Sequence, residues 1–265
     1  MTASESIRPI DCDVHPTVPG TKALMPWLDE NWREQVVDRG IHSLDSLSYP
    51  PNSPLTARAD FRSQGLDFDG LTKTVFDRFG AEKAILNCIY GVQLVHNTDM
   101  AVAFTRALNE WIAAEWLAKD RRLAASIVLP LQDIEACVDE IGRWAPNRQF
   151  VQVLVLANGE APLGKRHFWP VWRAAERHGL PIGVHAGSSY RHPVTSLGWT
   201  SYYVEDYAAQ SLGFQAQLAS LVTEGVFVKF PGLEVDAVMP TGIPASLHGK
   251  IMRDNPLATY TRLGG

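Results

Sequence analysis

Asp13 and His15 stand at the end of the first strand-like run, residues 7–14, and His185 follows another at residues 180–184. A carboxylate and an imidazole at i and i+2 on a strand point to one face, so a single cation can bind both. A second imidazole from the tip of a distant strand can supply a third ligand. Two histidines and a carboxylate are a common catalytic metal set. The plain alternative is a capped strand end with His15 satisfied by backbone. Asp11 alternates with Asp13 and is expected on the same face, either orienting His15 or forming a hydrated strand start. Tyr190, Arg191 and His192 follow His185. Arg191 suits a substrate carboxylate as a bidentate clamp and His192 suits proton donation, against the alternative of a solvated loop. Trp199, Tyr202 and Tyr203 could line an aromatic pocket or plug its mouth. Asn87 and Tyr90 fall at a further strand end and are candidates by position alone. His42, His96, His167, His178 and His248 have no partner at ligand spacing and read as surface or structural residues.

These tips need strands behind them, and the chain supplies strand-like and helix-like runs in alternation. Strands are expected at 9–14, 84–89, 123–129, 149–156, 181–185 and 233–238. Helices are expected at 21–39, 66–79, 99–119, 133–144, 168–178 (closed by Gly179) and 207–223, and at 244–260, broken at Pro256. Leu24, Leu28, Trp32 and Val36 recur at i+4 in the first helix. Phe104, Ala107, Leu108, Trp111, Ile112 and Trp116 share one face of the third. Residues 40–60 form a loop rich in Pro, Ser and Asn, too long for a plain connection and suited to covering a site. Continuous apolar strands alternating with amphipathic helices specify a parallel sheet covered by helices. Pro16, Thr17 and Val18 stand where a glycine-rich phosphate loop would begin. Ligand-type residues at strand C-terminal ends favour a (β/α)8 barrel of TIM type, yet only about six strands are visible.

Composition narrows the function. A chain of 265 residues with 46% hydrophobic and 20% charged residues suits one soluble α/β domain. We read residues 1–235 as barrel body, with a loop insertion at 40–65, and 236–265 as a C-terminal helix. The net charge of −5 gives no basic footprint for nucleic acid or an anionic membrane. Cys12, Cys88 and Cys137 read as buried thiols in a reducing compartment. No apolar leader or membrane-length run occurs, so a cytoplasmic location is expected.

Asp11-Cys12-Asp13-Val14-His15, the Leu-Pro-x-x-x-His-Ala-Gly run ending at Gly187, and Phe230-Pro231-Gly232-Leu233 resemble the amidohydrolase superfamily. Within it they look like the metal-dependent group that includes aminocarboxymuconate semialdehyde and resorcylate-type decarboxylases. The similarity runs from about residue 7 to 234 and resumes through Ile243-Pro244-Ala245 and Asn255-Pro256-Leu257-Ala258-Thr259-Tyr260. The resemblance implies a mononuclear divalent metal, zinc or manganese, on Asp13 (in place of the more usual His), His15 and His185. It implies an enzyme that hydrolyses or non-oxidatively decarboxylates a small aromatic or unsaturated carboxylate. The family also carries an acid or His on the strand after Phe-Pro-Gly-Leu, and a catalytic Asp in a Ser/Thr-Asp-Tyr/Trp-Pro-His motif. No such motif occurs in the sequence, which points to an internal deletion near 235–240. At roughly 30 residues per βα unit, two to three lost units amount to ~60–90 residues. The barrel is therefore expected to be incomplete, with an unpaired strand edge that favours a homo-oligomer. Asp236 lies beside the junction as a remnant acid, and with His192 is the candidate proton carrier. The rival reading is a non-catalytic pseudoenzyme, binding module or fragment.

Overall fold

The computed structural model describes residues 8–44, 67–187, 202–237 and 250–264. Strands β1 (Ile10–Val14), β2 (Lys83–Leu86), β3 (Leu123–Val128), β4 (Phe150–Leu156), β5 (Ile182–His185) and β6 (Val235–Ala237) form one sheet. All pairs are parallel and the order is 1-2-3-4-5-6. Every residue of β3 and β4 is buried, as a strand covered on both faces requires. The order never reverses, so successive right-handed crossovers return on one side of the sheet; a doubly wound sheet needs a point of reversal. This is the curl of a (β/α)8 barrel left open. Among the described residues β1 pairs only with β2 and β6 only with β5, which bears out the expected incomplete barrel.

The helices are α1 (Glu30–Asp38), α2 (Phe68–Thr72, continued through Lys73–Arg78), α3 (Thr98–Ile112, continued through Ala113–Leu117), α4 (Ile134–Trp144), α5 (Trp169–His178), α6 (Tyr203–Thr223), α7 (Val226–Lys229) and α8 (Asn255–Thr259). Side chains of Asp29, Asp67, Asn97 and Asp133 accept backbone N–H bonds at 2.8–3.0 Å and start α1 to α4. Each such cap stabilises a helix by about 1 kcal/mol. Gly179, at φ 60°, ends α5 as expected. The single helix expected over 21–39 is instead two short 3-10 turns, Thr21–Ala23 and Met25–Trp27, followed by α1. Pro26 and the cap at Asp29 divide it, while Leu24 and Leu28 are still buried. Pro256 does not break the last helix. The chain is helical from Lys250 through Thr259, and Pro256 lies just past the change from the wider Lys250–Asp254 turn to α8. Only residues 40–44 of the long 40–60 loop belong to the described set.

The sheet separates two apolar clusters. The larger joins Ala84, Leu86, Ile127, Val153, Val155 and Val184 to the helices. The smaller joins Ile10, Ile85, Ala124 and Val151 to Tyr260 and Leu263 of the C-terminal segment. Arg262 anchors that segment by donating to the carbonyls of Ala145, Phe150 and His178 at 2.8–2.9 Å. All three lie where β4 and β5 are about to begin. The C-terminal segment thus plugs the concave side at the N-terminal ends of the strands, leaving the opposite end for chemistry.

Candidate metal centre

The site begins with an irregularity in β1. Its register with β2 passes from Asp11–Ala84 to Val14–Leu86, so three steps of β1 match two of β2. The extra residue is a bulge, which re-aims side chains. Asp11 therefore does not share a face with Asp13 through simple alternation. It stands beside Ala84, and its carboxylate accepts the Asp13 N–H at 3.1 Å. Burial, joined by the neighbouring Asp13 charge, pushes the Asp11 carboxyl up.

Asp13, His15 and His185 converge, with their ligand atoms within 4.8 Å of one another. His15 Nε2 lies 3.5 Å and His185 Nε2 3.2 Å from the same oxygen, Asp13 Oδ1. The imidazoles meet nearly edge to face, 4.9 Å between centroids. On the far side of each ring, Nδ1 faces a backbone carbonyl, Asn87 O at 2.9 Å for His15 and Ala186 O for His185. A carbonyl can only accept, so Nδ1 carries the hydrogen and Nε2 is left as the lone pair of the neutral ring. Two such lone pairs aimed at a carboxylate repel unless a proton or a cation lies between them. With protons alone, burial would raise the Asp13 carboxyl, but the bonds and charges of both imidazoles outweigh it and hold it well below the usual range. Burial likewise opposes charge on His15, and the Asp13 bond and charge overcome it and push His15 up. One oxygen and two nitrogens presented in this way are a donor set that suits zinc or manganese.

Around the triad lie residues that sequence reasoning ranked low or passed over. Asn87 donates through Nδ2 to Asp13 Oδ1 at 2.8 Å and to Cys12 O at 3.1 Å. Ser126 on β3 and Gln152 on β4 are buried behind it, each a single polar residue within an apolar run. Their signal was available, since a polar side chain inside a fully buried strand must find partners. Asn158 donates to Gly187 O at 2.7 Å, tying the loop after β4 to the end of β5. A cleft of about 290 Å³ is lined by Leu94, Leu131, Gln132, Leu156, Asn158 and Phe168 among others, and by none of the triad; His185 lines a smaller cavity of about 30 Å³ with Cys12, Asn87, Gln152, Gly183 and Tyr260. Leu156 is the register partner of His185. Tyr202 is exposed at the start of α6; its N–H is held by the Glu205 carboxylate at 2.8 Å. Tyr190, Arg191, His192 and Trp199, with the side chains of Tyr203 and Asp236, lie outside the described residues. The backbone of Asp236 pairs with Gly183 on β5.

The amidohydrolase family model matches residues 10–240. The chain belongs to the amidohydrolase family. Among curated amidohydrolase relatives, the gamma-resorcylate decarboxylase of Rhodococcus jostii (strain RHA1) is 26% identical over 223 residues, covering 77% of this chain. This amidohydrolase spans 64% of that relative's length. An amidohydrolase of Mycobacterium avium subsp. paratuberculosis superposes with a TM-score of 0.63 at 19% identity, covering 97% of this chain and 78% of that one. The 5-carboxyvanillate decarboxylase of Novosphingobium aromaticivorans, solved with manganese and 4-hydroxy-3-methoxy-5-nitrobenzoic acid, gives 0.63 at 18% identity, covering 88% and 65%. These two likenesses show the shared fold.

Proposed function

We propose that this amidohydrolase binds one divalent cation, zinc or manganese, through Asp13, His15 and His185, and that its site is built to decarboxylate or hydrolyse a small aromatic or unsaturated carboxylate. The observation that carries the reading is the approach of two Nε2 atoms to one carboxylate oxygen, with a backbone carbonyl facing each Nδ1. Such a cation, when bound, acidifies water or polarises a substrate oxygen. The chain itself orients the imidazoles through their Nδ1–H bonds and holds Asp13 through Asn87. The cleft beside Leu156 offers apolar walls for a planar ring and is close to the size of small-molecule pockets. Arg191, Tyr190 and Trp199 are proposed to bind substrate, and His192 or Asp236 to carry a proton. The relatives' names, gamma-resorcylate and 5-carboxyvanillate decarboxylase, favour decarboxylation over hydrolysis.

Turnover is proposed to be low. The sequence holds no Ser/Thr-Asp-Tyr/Trp-Pro-His motif, and loss of a positioned acid or base costs ~10²–10⁴-fold. The open sheet favours a second reading, a metal-binding protein without catalysis. A cytoplasmic homo-oligomer that contacts neither nucleic acid nor membrane completes the proposal. Its support is the charge-free stretch 207–223, the exposed Val204, Leu212, Leu218 and Val222 on α6, and the two sheet edges. No described helix is long and apolar enough to cross a membrane. Carbon dioxide release from 2,6-dihydroxybenzoate and 5-carboxyvanillate, measured with zinc- or manganese-loaded protein, tests the reading. Slow release abolished by His185→Ala supports it. Turnover of ~1–10³ s⁻¹, ordinary for enzymes, would show that the missing motif is dispensable. No release from cation-loaded protein would favour the non-catalytic reading.

A further inference from the structure

Asn87 makes contact with two members of the triad. Its side-chain Nδ2 donates to Asp13 Oδ1 at 2.8 Å and to Cys12 O at 3.1 Å. Its backbone carbonyl accepts from His15 Nδ1 at 2.9 Å, and its backbone N–H donates to Val14 O at 2.7 Å. An amide group can turn end for end with almost no change in shape. Turned over, Asn87 would set its Oδ1 against the Asp13 carboxylate, acceptor against acceptor. The next two strands prevent this. Ser126 Oγ donates to Asn87 Oδ1, and Gln152 Nε2 donates to the same oxygen at 3.0 Å and to Ser126 Oγ at 2.7 Å.

The hydrogen bonds of this row run in one direction. A carboxylate can only accept, so Asn87 must turn its NH2 towards Asp13. Its Oδ1 then faces away and needs donors, which Ser126 and Gln152 supply. Gln152 Nε2 faces both Asn87 Oδ1 and Ser126 Oγ, and its Oε1 has no partner. The unsatisfied acceptor is thereby moved off Asn87 and onto the Gln152 amide, beside Gly183 of β5. Room for that amide comes from β5. A Cβ on Gly183 would lie 2.7 Å from Gln152 Oε1 and 2.8 Å from its Cδ. Asn87, Ser126 and Gln152 are all at most 4% exposed, so solvent does not hold this arrangement.

We infer that Gln152, Ser126 and Asn87 form a positioning relay across β4, β3 and β2 that fixes the Asp13 carboxylate for cation binding, with Gly183 supplying the space. None of the three is a ligand. The inference rests on the metal reading above. Residues that orient ligands typically change metal affinity 10–100-fold when removed, and members of one network do not act additively.

The test measures zinc dissociation constants by chelator competition, the visible absorption of the cobalt(II)-loaded protein, and thermal unfolding of the metal-free protein. Asn87→Ala is expected to weaken zinc binding roughly 10–100-fold and to shift the cobalt spectrum. Gln152→Leu, which keeps volume but donates nothing, should weaken binding by about tenfold in the native background and not further in the Asn87→Ala background. Should Asn87→Ala fail to fold, Ser126→Ala, Gln152→Leu and their double variant carry the same test. Folded variants that bind zinc within about twofold of the parent with an unchanged cobalt spectrum overturn the relay. Additive effects overturn it too. If the parent protein itself binds neither ion, the metal reading fails and the relay with it; if the parent binds and the variants match it, the relay alone fails.

Discussion

Tyr260→Ala should unlatch the C-terminal segment from the concave side of the sheet. Tyr260 is 2% exposed and packs with Ile10, Ile85, Ala124, Val151 and Leu263. Emptying a buried aromatic site costs ~3–5 kcal/mol, a large share of the ~5–15 kcal/mol that holds a domain together. Relaxation is limited here, because Arg262 still pins the neighbouring backbone to three carbonyls. At ~2–4 °C per kcal/mol for a chain somewhat shorter than this one, the expected fall in Tm is roughly 6–20 °C. Arg262→Ala should cost less, about 2 kcal/mol, chiefly by taking a donor from the carbonyls of the buried Ala145 and Phe150. Differential scanning calorimetry on both variants gives the numbers, with Val228→Ala at an 88% exposed position as a control expected to be neutral. A Tyr260→Ala midpoint within about 2 °C of the parent would show that the segment is not part of the folded core.

Other consequences are local. Glu140 is fully buried on α4, accepting from Asn109 Nδ2 at 2.9 Å and Trp144 Nε1 at 3.1 Å while Arg106 and Arg143 approach its other oxygen at 3.4 and 3.5 Å. Glu140→Ala should destabilise the chain by ~3 kcal/mol in urea unfolding, and a change below about 0.5 kcal/mol would remove it from the α3–α4 packing account. Burial pushes the Cys88 thiol up to about 12 and raises Cys137 as well. At pH 8 both should resist a thiol reagent in native protein and react once urea is added; equal labelling in both conditions contradicts their burial. Light scattering should give a particle larger than the 29.3 kDa chain, and a monomer at all concentrations argues against association through α6 and the sheet edges.

What the sequence revealed follows from where chemistry and period coincide. Asp13, His15 and His185 were legible because ligand-type side chains end apolar runs, and the fold brings those ends together. Six strands in sequential order follow from the alternation of apolar strands with amphipathic helices, each about one crossover long. The division of residues 21–39 was harder to read. The i+4 spacing of Leu24, Leu28, Trp32 and Val36 fits a helix, but Pro26 and the Asp29 cap break the backbone while leaving the apolar residues inward. The β1 bulge was invisible because an inserted residue leaves no compositional mark, and it alone redirects Asp11. Ser126 and Gln152 were overlooked for the opposite reason. Each is one polar residue among apolar neighbours, and its meaning appears only when the adjacent strands place their partners.

The central claim is that Asp13, His15 and His185 together hold a divalent cation. Isothermal titration of the metal-free protein with zinc and with manganese, repeated on Asp13→Ala, His15→Ala and His185→Ala, tests it most directly. The account predicts one site per chain, accompanied by proton release at neutral pH as the cation displaces protons from the imidazole–carboxylate cluster, and at least a hundredfold weaker binding in every variant, in keeping with the loss of a direct ligand rather than of an orienting neighbour. A parent protein that binds neither ion, or variants that bind as the parent does, would contradict it.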